Sequence, residues 1–545
     1  MPELSEQDLK DLLSSHQMIC VVPFGLNSSP NRLSKLSTLY FSAPGVEGGW
    51  GKWTTETQTL LKEWGNREDR RFLFLRAQGL LKLFWKFEIS VKRPICLATC
   101  LHLLGEDAEA EPTLLDADRA KEAATRALSD LGHYTQALKA KGLHRVARLE
   151  NAVLGAFAAM EADGLHIEKK KWQAVVNRFT EQMNSAQAEL LQYLGDVVNR
   201  NLFGEPEINL DADGEIKLAL ERLLNRRLPD VSKRTLSELD HPVSKPLLQF
   251  REARKIVTTY GEEFLKFVDD ETSRIYSTFI PMGASTGRVA SREPNLQNLP
   301  AGDDFHACVC APAGKKLVTA DYATCELRIL ADMAEDANLV AAFSQGEDVH
   351  SIVAERMFQQ EVSKEKNSHL RARAKAIQFG IIYGMGVASL ARSLEITDTE
   401  AQSTLDRYFK TYPAVRSFLT ALVDRALANG YAETRLGRKL YFDADVLSAD
   451  SARQEIGRIA KNMPIQGTSA DMIKIAMAGI HNSLRSTKGA FLVNTIHDEL
   501  VIECEAESAG QVADIVRDEM EKAHRFLLRE VPPLVDLSVD TIWSH

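Results

Sequence analysis

The sequence lacks the marks of a membrane protein, a zinc-binding protein or a disulfide-rich secreted protein. Among its 545 residues, no apolar run reaches the length of about 18 that a membrane-spanning helix needs, and no signal peptide opens it. The seven cysteines are an odd, scattered set, and neither Cys96/Cys100 nor Cys308/Cys310 has the spacing of a zinc half-site. We therefore predict core thiols in a reducing cytoplasm.

An excess of positive charge is also absent. The 66 Lys and Arg residues are outnumbered by 76 Asp and Glu residues, which gives a formal net charge of −10. Such a protein can contact nucleic acid only through local basic clusters, not through its overall charge. The hydrophobic share of 44% and charged share of 26% are those of an ordinary globular protein, with room for three or more domains.

The first informative stretch is LVTADYATCELRIL, residues 317–330. Residues 317–320 predict a short buried strand that Asp321 closes, and helical periodicity begins at Thr324. Asp321 would then project from a strand end. A lone Asp at such a place is most often a helix cap, so this stretch alone does not establish a site.

The second stretch is FLVNTIHDELVIEC, residues 491–504, in which two apolar runs flank His497, Asp498 and Glu499. This pattern predicts a β-hairpin with acidic residues at its tip. If Asp498 faces Asp321, the two carboxylates could bridge a pair of divalent cations, as in-line phosphoryl transfer requires. Hard oxygen ligands favour Mg²⁺.

The third stretch is RARAKAIQFGIIYG, residues 371–384. Arg371, Lys375, Phe379 and Tyr383 are spaced four apart, which places them along one side of a helix. The cationic end suits a triphosphate, and the aromatic end suits a base and sugar. The alternative is a solvated basic face that runs into a core aromatic stripe.

Together the three stretches resemble the motifs of the DNA polymerase I family (family A), in the family's order. DYATCELR corresponds to Asp-Tyr-Ser-Gln-Ile-Glu-Leu-Arg, the second stretch of the family (Arg-x3-Lys-x3-Phe-x3-Tyr-Gly) is matched in full, and His-Asp-Glu is residues 497–499. TGRVASREPNLQNLP (286–300), NMPIQGTSAD (462–471) and the final VPPLVDLSVDTIWSH also match. The resemblance covers roughly residue 145 to the C-terminus.

The resemblance implies an α+β right-hand polymerase with an N-terminal RNase H-like α/β domain. The implied domains are an exonuclease-type domain (1–145), thumb (146–260), first part of the palm (261–340), fingers (341–440) and second part of the palm (441–545). We also expect amphipathic helix 169–198 in the thumb and helix 401–430, with YFKTYP inside it, in the fingers.

The implied activity is template-directed addition of deoxynucleoside triphosphates to a primer 3′-hydroxyl, with release of pyrophosphate. The implied cofactors are two Mg²⁺ ions, for which Mn²⁺ can substitute, and the partners are primer-template DNA and deoxynucleoside triphosphates. A processivity or replisome partner is left open, and no membrane is involved. The expected location is the cytoplasm of a bacterial cell or of a phage-infected one.

Site residues follow from the resemblance, position by position. The expected catalytic residues are Asp321, Asp498, Glu499 and Lys375, and the expected metal ligands are Asp321, Asp498 and Tyr322. Expected contacts to the nucleotide come from Arg371, Lys375, Phe379, Tyr383, Glu326 and His497. Expected contacts to DNA come from Arg288, Asn295, Gln297, Asn298, Lys255, Thr259, Arg458, Asn462 and Gln466, with Arg251 beside them in the thumb.

The N-terminal part departs from the family. It should contain strands at 18–22, 39–41 and 72–75 and helices at 96–104 and 119–140, but no Asp or Glu occurs between Asp11 and Glu47, where the first exonuclease acids belong. RAQGLLKLF (76–84) and PICLATCLHLL (94–104) also lack the expected acid, and only Asp130 could match the last one. We expect no proofreading and no 5′ nuclease, which favours a phage or accessory polymerase. An unrelated N-terminal domain is the alternative.

Two other functions stay open at this point. A single-subunit RNA polymerase shares the palm, but Glu326 argues against it because in the family this residue crowds the sugar 2′ position. A catalytically inactive DNA-binding scaffold is disfavoured because Asp321, Asp498 and Lys375 are all present. Ala323, Thr324 and Cys325 replace Ser-Gln-Ile and leave substrate selectivity open.

Overall fold

Five strands near the N-terminus form a mixed sheet in the order β3-β2-β1-β4-β5. The strands are β1 (Met18–Phe24), β2 (Thr38–Ala43), β3 (Val46–Lys52), β4 (Arg71–Phe74) and β5 (Pro94–Cys96). Their helices are α1 (Glu6–Ser15), α2 (Thr55–Gly65), α3 (Ala77–Lys86), α4 (Leu97–Leu104) and α5 (Ala117–Ala140). β1 is antiparallel to β2 and parallel to β4, which confirms the expected RNase H-like arrangement.

This computed structural model describes residues 3–24, 38–106, 117–204, 206–300, 302–344, 348–448 and 452–544. Part of the stretch without acids, residues 25–37, therefore lies outside the described ranges. The three predicted strands and two predicted helices of this domain are confirmed, whereas β3 and β5 were not predicted. β3 contains three glycines, and β5 is three residues long beside a helix, so neither carries a strand pattern.

The next segment forms the thumb, which two long helices support. Its elements are α6 (His144–Asp163), β6 (Leu165–His166), α7 (Lys169–Leu194), β7 (Asn199–Arg200), β8 (Pro206–Glu207), α8 (Asp213–Leu224), α9 (Lys233–Ser237), α10 (Ser244–Tyr260) and α11 (Glu262–Leu265). α7 buries Trp172, Val176, Leu190 and Leu194, the side predicted to be apolar. It ends at Leu194, before the predicted 198, with Gly195 as its C-terminal cap.

A four-stranded antiparallel sheet in the order β15-β16-β12-β17 forms the palm. Its strands are β12 (Lys315–Tyr322), β15 (Phe491–Ile496), β16 (Glu499–Glu505) and β17 (Val535–Asp540). β9 (Arg274–Ile275), β10 (Thr278–Ile280), β11 (Ala290–Arg292), α12 (Asp303–His306) and the 3₁₀ turn Leu296–Asn298 precede β12. α22 (Ala509–Leu527) and the 3₁₀ turn Ala506–Ser508 lie between β16 and β17. The palm thus joins segments far apart in sequence.

In the described part of the chain, seven helices follow β12 in succession, and most of them fall in the predicted fingers, residues 341–440. They are α13 (Cys325–Ala334), α14 (Ala337–Ser344), α15 (Val349–Phe358), α16 (Ser368–Ile382), α17 (Val387–Leu394), α18 (Asp398–Thr411) and α19 (Pro413–Asn429). The hairpin of β13 (Tyr431–Glu433) and β14 (Lys439–Tyr441), α20 (Ala444–Ser448) and α21 (Ala452–Leu484) lead back to the palm. Within the described ranges no helix is long and apolar enough to cross a membrane.

The predicted single helix 401–430 is wrong, because two helices occupy this segment. Tyr412 leaves the helical region with φ −127° and ψ 70°, and Pro413 opens the second helix. Proline lacks a backbone N–H and is tolerated in the first turn of a helix, where that group has no partner. Thr397 caps the first helix through a capping box with Glu400.

Candidate active site

Asp321 lies near the end of β12, the central strand of the palm, with acids on both neighbouring strands. Its partner in the β16 register is Glu499, and its partner in the β17 register is Asp536. Asp498 stands at the tip of the β15–β16 hairpin, and its carbonyl oxygen accepts from the Tyr322 N–H at 3.4 Å. The hairpin and its acidic tip are as predicted. Asp536 was not predicted, although its alternation with apolar residues in VDLSVD gives a weak signal.

The electrostatics of this cluster favour a bound cation. Burial, together with the nearby carboxylates of Asp498 and Asp536, raises the pKa of Asp321 to about 7. Burial likewise raises the pKa of Asp498. Both groups therefore lack a neighbouring positive charge strong enough to offset their burial, and a divalent cation would supply one.

Glu499 differs from the two aspartates because the C-terminal segment holds it. The Trp543 indole N–H donates to its carboxylate, and Trp543 stacks on His306 with ring centroids 4.0 Å apart. Burial, together with the charges of Asp321 and Asp498, raises the pKa of Glu499 to about 8. Trp543 was not predicted to contribute, since nothing in a single sequence brings residue 543 beside residue 499.

The predicted metal ligand Tyr322 has only its backbone carbonyl to offer. Its phenol is buried and donates to the Met520 carbonyl at 2.7 Å. In the ranges that the structure describes, no three His, Cys, Asp or Glu side chains are grouped as a metal site. Asp321 and Asp498 would therefore be the side chains that hold Mg²⁺, with phosphates and water completing the shell, as is usual for this ion.

Glu326 joins the three sequence stretches physically. It lies in the first turn of α13, which Thr324 opens with a left-handed φ of 52°. Its carboxylate pairs with the Arg288 guanidinium and shares a hydrogen bond with the Tyr383 phenol. Burial raises the pKa of Glu326, and Asp498 lies close enough to raise it further. The finger helix and the acidic cluster therefore meet at this residue.

The α16 helix presents the predicted cationic and aromatic residues. The Phe379 and Tyr383 rings stack at 6.3 Å, with 15° between their planes, and the Lys375 ammonium lies 5.9 Å from the Phe379 ring centre. Lys375 is exposed, whereas the Arg371 Nε donates to Asp348 at 2.5 Å. The Asp348 partner was not predicted. The helix ends on the palm, where Asn462 Nδ2 donates to the Ile382 carbonyl at 3.2 Å.

The residues expected to touch DNA lie in three places. Asn295 accepts from the Gln297 N–H at 2.9 Å, and Gln297 donates to the Thr495 carbonyl, which fixes this turn beside the hairpin. Asn298 is held through its carbonyl by the Tyr260 hydroxyl, with its side chain exposed.

On α21, Gln466 is largely buried while Arg458 is exposed and packs against Gly384, where an added Cβ would lie 3.0 Å from Arg458 Cγ. His497 is exposed at the hairpin tip with φ 55°. The second place is therefore the surface between the finger helix and the hairpin.

The thumb helix α10 is the third place. Fewer of its basic side chains are available to DNA phosphates than its sequence suggests, because two of them pair with protein groups. Lys255 and Thr259 are exposed. Arg251, in contrast, donates to Asp213 at 2.5 Å and to the Val231 carbonyl. Arg254 pairs with Asp211 at 2.8 Å. Phosphate contact in this structure would therefore fall to Lys255 and Thr259.

One face of the N-terminal sheet presents apolar side chains to α5. Cys20, Val22 and Tyr40 are buried on the sheet face that α5 covers with Ala120 and Ala124. Asp130, the one acid expected to remain, accepts from Ser129 Oγ at 2.9 Å and lies 3.7 Å from Arg126 Nε on the same helix.

The palm sheet carries carboxylates at the ends of its strands, and the cations and aromatic rings of α16 lie beside them. This arrangement is that of the right-hand polymerase fold. The family model "DNA polymerase family A" matches residues 169–545. The chain therefore belongs to DNA polymerase family A, whose members depend on metal ions.

Relatives and a solved structure support this assignment. The chain is 32% identical to the thermostable DNA polymerase I of Thermus aquaticus over 408 residues, which is 72% of this chain and 48% of that protein. It is also 32% identical over 414 residues to DNA polymerase I of Chloroflexus aurantiacus, covering 73% and 43%. The chain thus spans about half the length of the curated relatives that it matches.

The solved structure is the POL domain of Pol1 from M. smegmatis in complex with DNA primer-template and dNTP. It is similar to this chain with a TM-score of 0.82 and 26% identity, and the match covers 99% of both chains. The likeness therefore includes the N-terminal domain as well as the thumb, palm and fingers.

Proposed function

We propose that this chain is a template-directed DNA polymerase that adds deoxynucleoside triphosphates to a primer 3′-hydroxyl and releases pyrophosphate. The observation that carries the proposal is the meeting of Asp321 and Asp498 with Glu326, which in turn contacts Arg288 and Tyr383. One cluster thus joins the carboxylates for metal binding with Arg288, proposed for the primer end, and Tyr383, proposed for the incoming nucleotide. The M. smegmatis structure, which holds DNA primer-template and dNTP, supports the same assignment.

In this proposal Asp321 and Asp498 hold two Mg²⁺ ions, for which Mn²⁺ can substitute. Bound divalent ions make the attacking hydroxyl more acidic and neutralise charge on the leaving pyrophosphate. Tyr322 contributes through its carbonyl alone, because its phenol is committed to Met520. Glu499 is held by the Trp543 indole N–H and lies opposite Asp321 in the strand register.

The α16 helix binds the triphosphate in this mechanism. Lys375, which is exposed, pairs with the phosphates and can give a proton to the departing pyrophosphate oxygen. Arg371 reaches the γ-phosphate after exchanging Asp348 for it, since a charged phosphate competes well for a guanidinium. Phe379 and Tyr383 cover the base and sugar. Movement of this helix toward the palm would exclude water and favour a correctly shaped base pair.

Primer-template DNA is bound by the turn at 295–298, by Arg288 and by Lys255 and Thr259 of the thumb. Arg288 donates to minor-groove acceptors at the primer end, which are nearly the same for every correct pair. We place the activity in a bacterial cytoplasm, as for the bacterial relatives. The N-terminal domain acts as a structural support and not as a proofreading exonuclease.

Substitution of the two aspartates tests the proposal. Asp321→Asn and Asp498→Asn should each reduce primer extension to less than about a tenth of the wild-type rate, because each removes a charge that offsets the metal in the transition state. Binding to primer-template, measured by fluorescence anisotropy, should be unchanged.

Asp514→Asn, a change at an exposed carboxylate of α22, serves as the control and should extend normally. Wild-type-like extension by either active-site variant would contradict the metal assignment.

A further inference from the structure

Four charged side chains are buried together where α6, the β13–β14 hairpin and α21 meet. They are Glu150 of α6, Arg438 next to β14, and Asp471 and Lys474 of α21; Arg438 is 4% exposed and the other three are 0% exposed. Two acids and two bases give no net charge. Burial of so many charges is unfavourable unless each is paired, and none of the four belongs to the proposed catalytic cluster.

The network centres on the Arg438 guanidinium. Its Nε and Nη2 donate to Asp471 Oδ1 at 2.9 and 2.7 Å, and Nη2 also donates to Glu150. Lys474 Nζ donates to the same Glu150 oxygen at 2.5 Å. The Thr434 hydroxyl donates to Asp471 at 2.6 Å and accepts from the Arg438 N–H at 3.1 Å. The guanidinium plane is therefore fixed from several sides.

The face of this guanidinium supports the backbone at Gly287. A Cβ at Gly287 would lie 2.5 Å from Arg438 Nε and 2.6 Å from Cζ, so only glycine allows this approach. The φ of Gly287 is +85°, in the left-handed region. The turn is closed by the Gly287 N–H, which donates to the Ala284 carbonyl at 2.8 Å, and by the Ala284 N–H, which donates to the Arg288 carbonyl at 3.1 Å.

Arg288 is the next residue, and its guanidinium pairs with Glu326. The position of the Arg288 side chain thus depends on the turn at Gly287, and this turn packs against the Arg438 guanidinium. A lysine at 438 could keep the charge but has no planar face and no fork of donors. The turn would then lose its support while the buried charge remained balanced.

We propose that Arg438 is a positioning residue that sets where Arg288 meets the primer terminus, with Glu150, Asp471 and Lys474 holding it in place. This role rests on the proposed polymerase activity. Arg438 touches neither substrate nor metal and acts through Gly287 on Arg288. Its loss should therefore weaken the recognition of a correct terminal pair more than it weakens the fold.

A double-mutant cycle between the two arginines tests this role. Arg438→Lys should lower kcat/KM for a matched primer end about tenfold and for a mismatched end much less, since only the matched end offers the geometry that Arg288 recognises. In an Arg288→Ala background, Arg438→Lys should alter kcat/KM for the matched end by no more than about twofold, because the Arg288 side chain through which Arg438 acts is already absent. Independent, additive losses would overturn the proposal.

A second variant and a matched control keep the test decisive. Thr434→Val preserves the shape of the side chain but removes the hydroxyl that is hydrogen-bonded to Arg438 and Asp471. It should lower kcat/KM for a matched primer end about threefold, and this loss should disappear in the Arg288→Ala background. Arg435→Lys, in the same turn, changes an arginine that pairs with Asp332 at 3.4 Å and should leave the ratio of matched to mismatched extension unchanged. Primer extension by the wild type is measured in the same experiment. If the wild type extends primers but the losses in kcat/KM of the two arginine variants are additive, the role of Arg438 is contradicted and the polymerase activity is not.

Discussion

Glu326 is the single residue on which sugar selectivity should depend. Its carboxylate is only 9% exposed and lies between Arg288 and Tyr383, next to the acidic cluster. We expect Glu326→Ala to admit ribonucleotides, because a smaller side chain leaves room for a 2′-hydroxyl. The measurement is the ratio of ribonucleotide to deoxynucleotide incorporation, compared with wild type and with Glu335→Gln at the exposed end of the same helix. An unchanged ratio would remove the sugar-sensing role and reopen the RNA polymerase alternative.

Phe379 should make this enzyme reject dideoxynucleotides. Its ring stacks on Tyr383 and carries no polar atom to replace the contact of a missing 3′-hydroxyl. Phe379→Tyr adds a phenol that can donate a hydrogen bond near that position, so chain termination should become more efficient. The two proteins are compared in chain-termination ladders at equal rates of ordinary extension. Equal termination by both would mean that α16 does not cover the sugar.

The elements that carry single site residues were predicted where a spaced pattern identified them. Asp321 and the Arg371-to-Tyr383 series lie on the predicted strand and helix, and Asp498 lies at the predicted hairpin tip, close enough to Asp321 to raise its pKa. Asp536 and Trp543 were missed because their contribution depends on pairing with strands far away in sequence. The partner of Arg371 was missed because Asp348 caps a different helix, α15, and a single sequence does not show how two helices pack. Sequence patterns indicate the chemistry of a residue better than they indicate its neighbours.

At the scale of elements, helices with a strong apolar side were predicted to within a few residues. α7 is one example, and it ends at Leu194 where the prediction had 198. The segment 401–430 failed because the helical pattern continues through Tyr412, while Pro413 favours a new first turn. Short strands such as β5 carry too few residues for a pattern of period two. Local patterns therefore fix the type of an element more firmly than its ends.

The first strand and α5 together lead us to predict that this chain does not proofread. An exonuclease with two metals needs several carboxylates, whereas Cys20 and Val22 pack under the alanines of α5 and Asp130 pairs within its own helix. A 3′-labelled single strand incubated with Mg²⁺ or Mn²⁺ and no nucleotides should keep its length.

The control is Asp321→Asn, which removes the polymerase site but not the N-terminal domain. Steady 3′-to-5′ shortening by this variant, lost when residues of the first 145 are changed, would show that other acids in the N-terminal domain are catalytic.

In the molecule as a whole, α3 joins the N-terminal domain to α6 and to the palm. Gln78 Nε2 donates to Glu161 at 2.6 Å and to the Phe279 carbonyl at 2.7 Å, and Lys82 lies 3.2 Å from Glu161. The Trp85 indole N–H donates to Asp163 at 2.9 Å. α3 contains the segment in which the exonuclease acid is missing. Its polar side chains therefore attach the N-terminal domain to α6 and to the palm. The order of the domains in the sequence could not show these contacts.

The position of β12 at the middle of the palm has a consequence for how the protein is made. Ala320 pairs with Leu500 on one side and with Leu537 on the other, and the Tyr322 phenol reaches Met520, 198 residues further along the chain. On the ribosome, the N-terminal sheet can close early because its five strands lie within about one hundred residues. The strand that carries Asp321 must wait for almost all of the remaining chain to be translated before either of its edges is covered. The acidic cluster can therefore assemble only after the N-terminal sheet, once residues 499–505 and 535–540 are available to pair with β12.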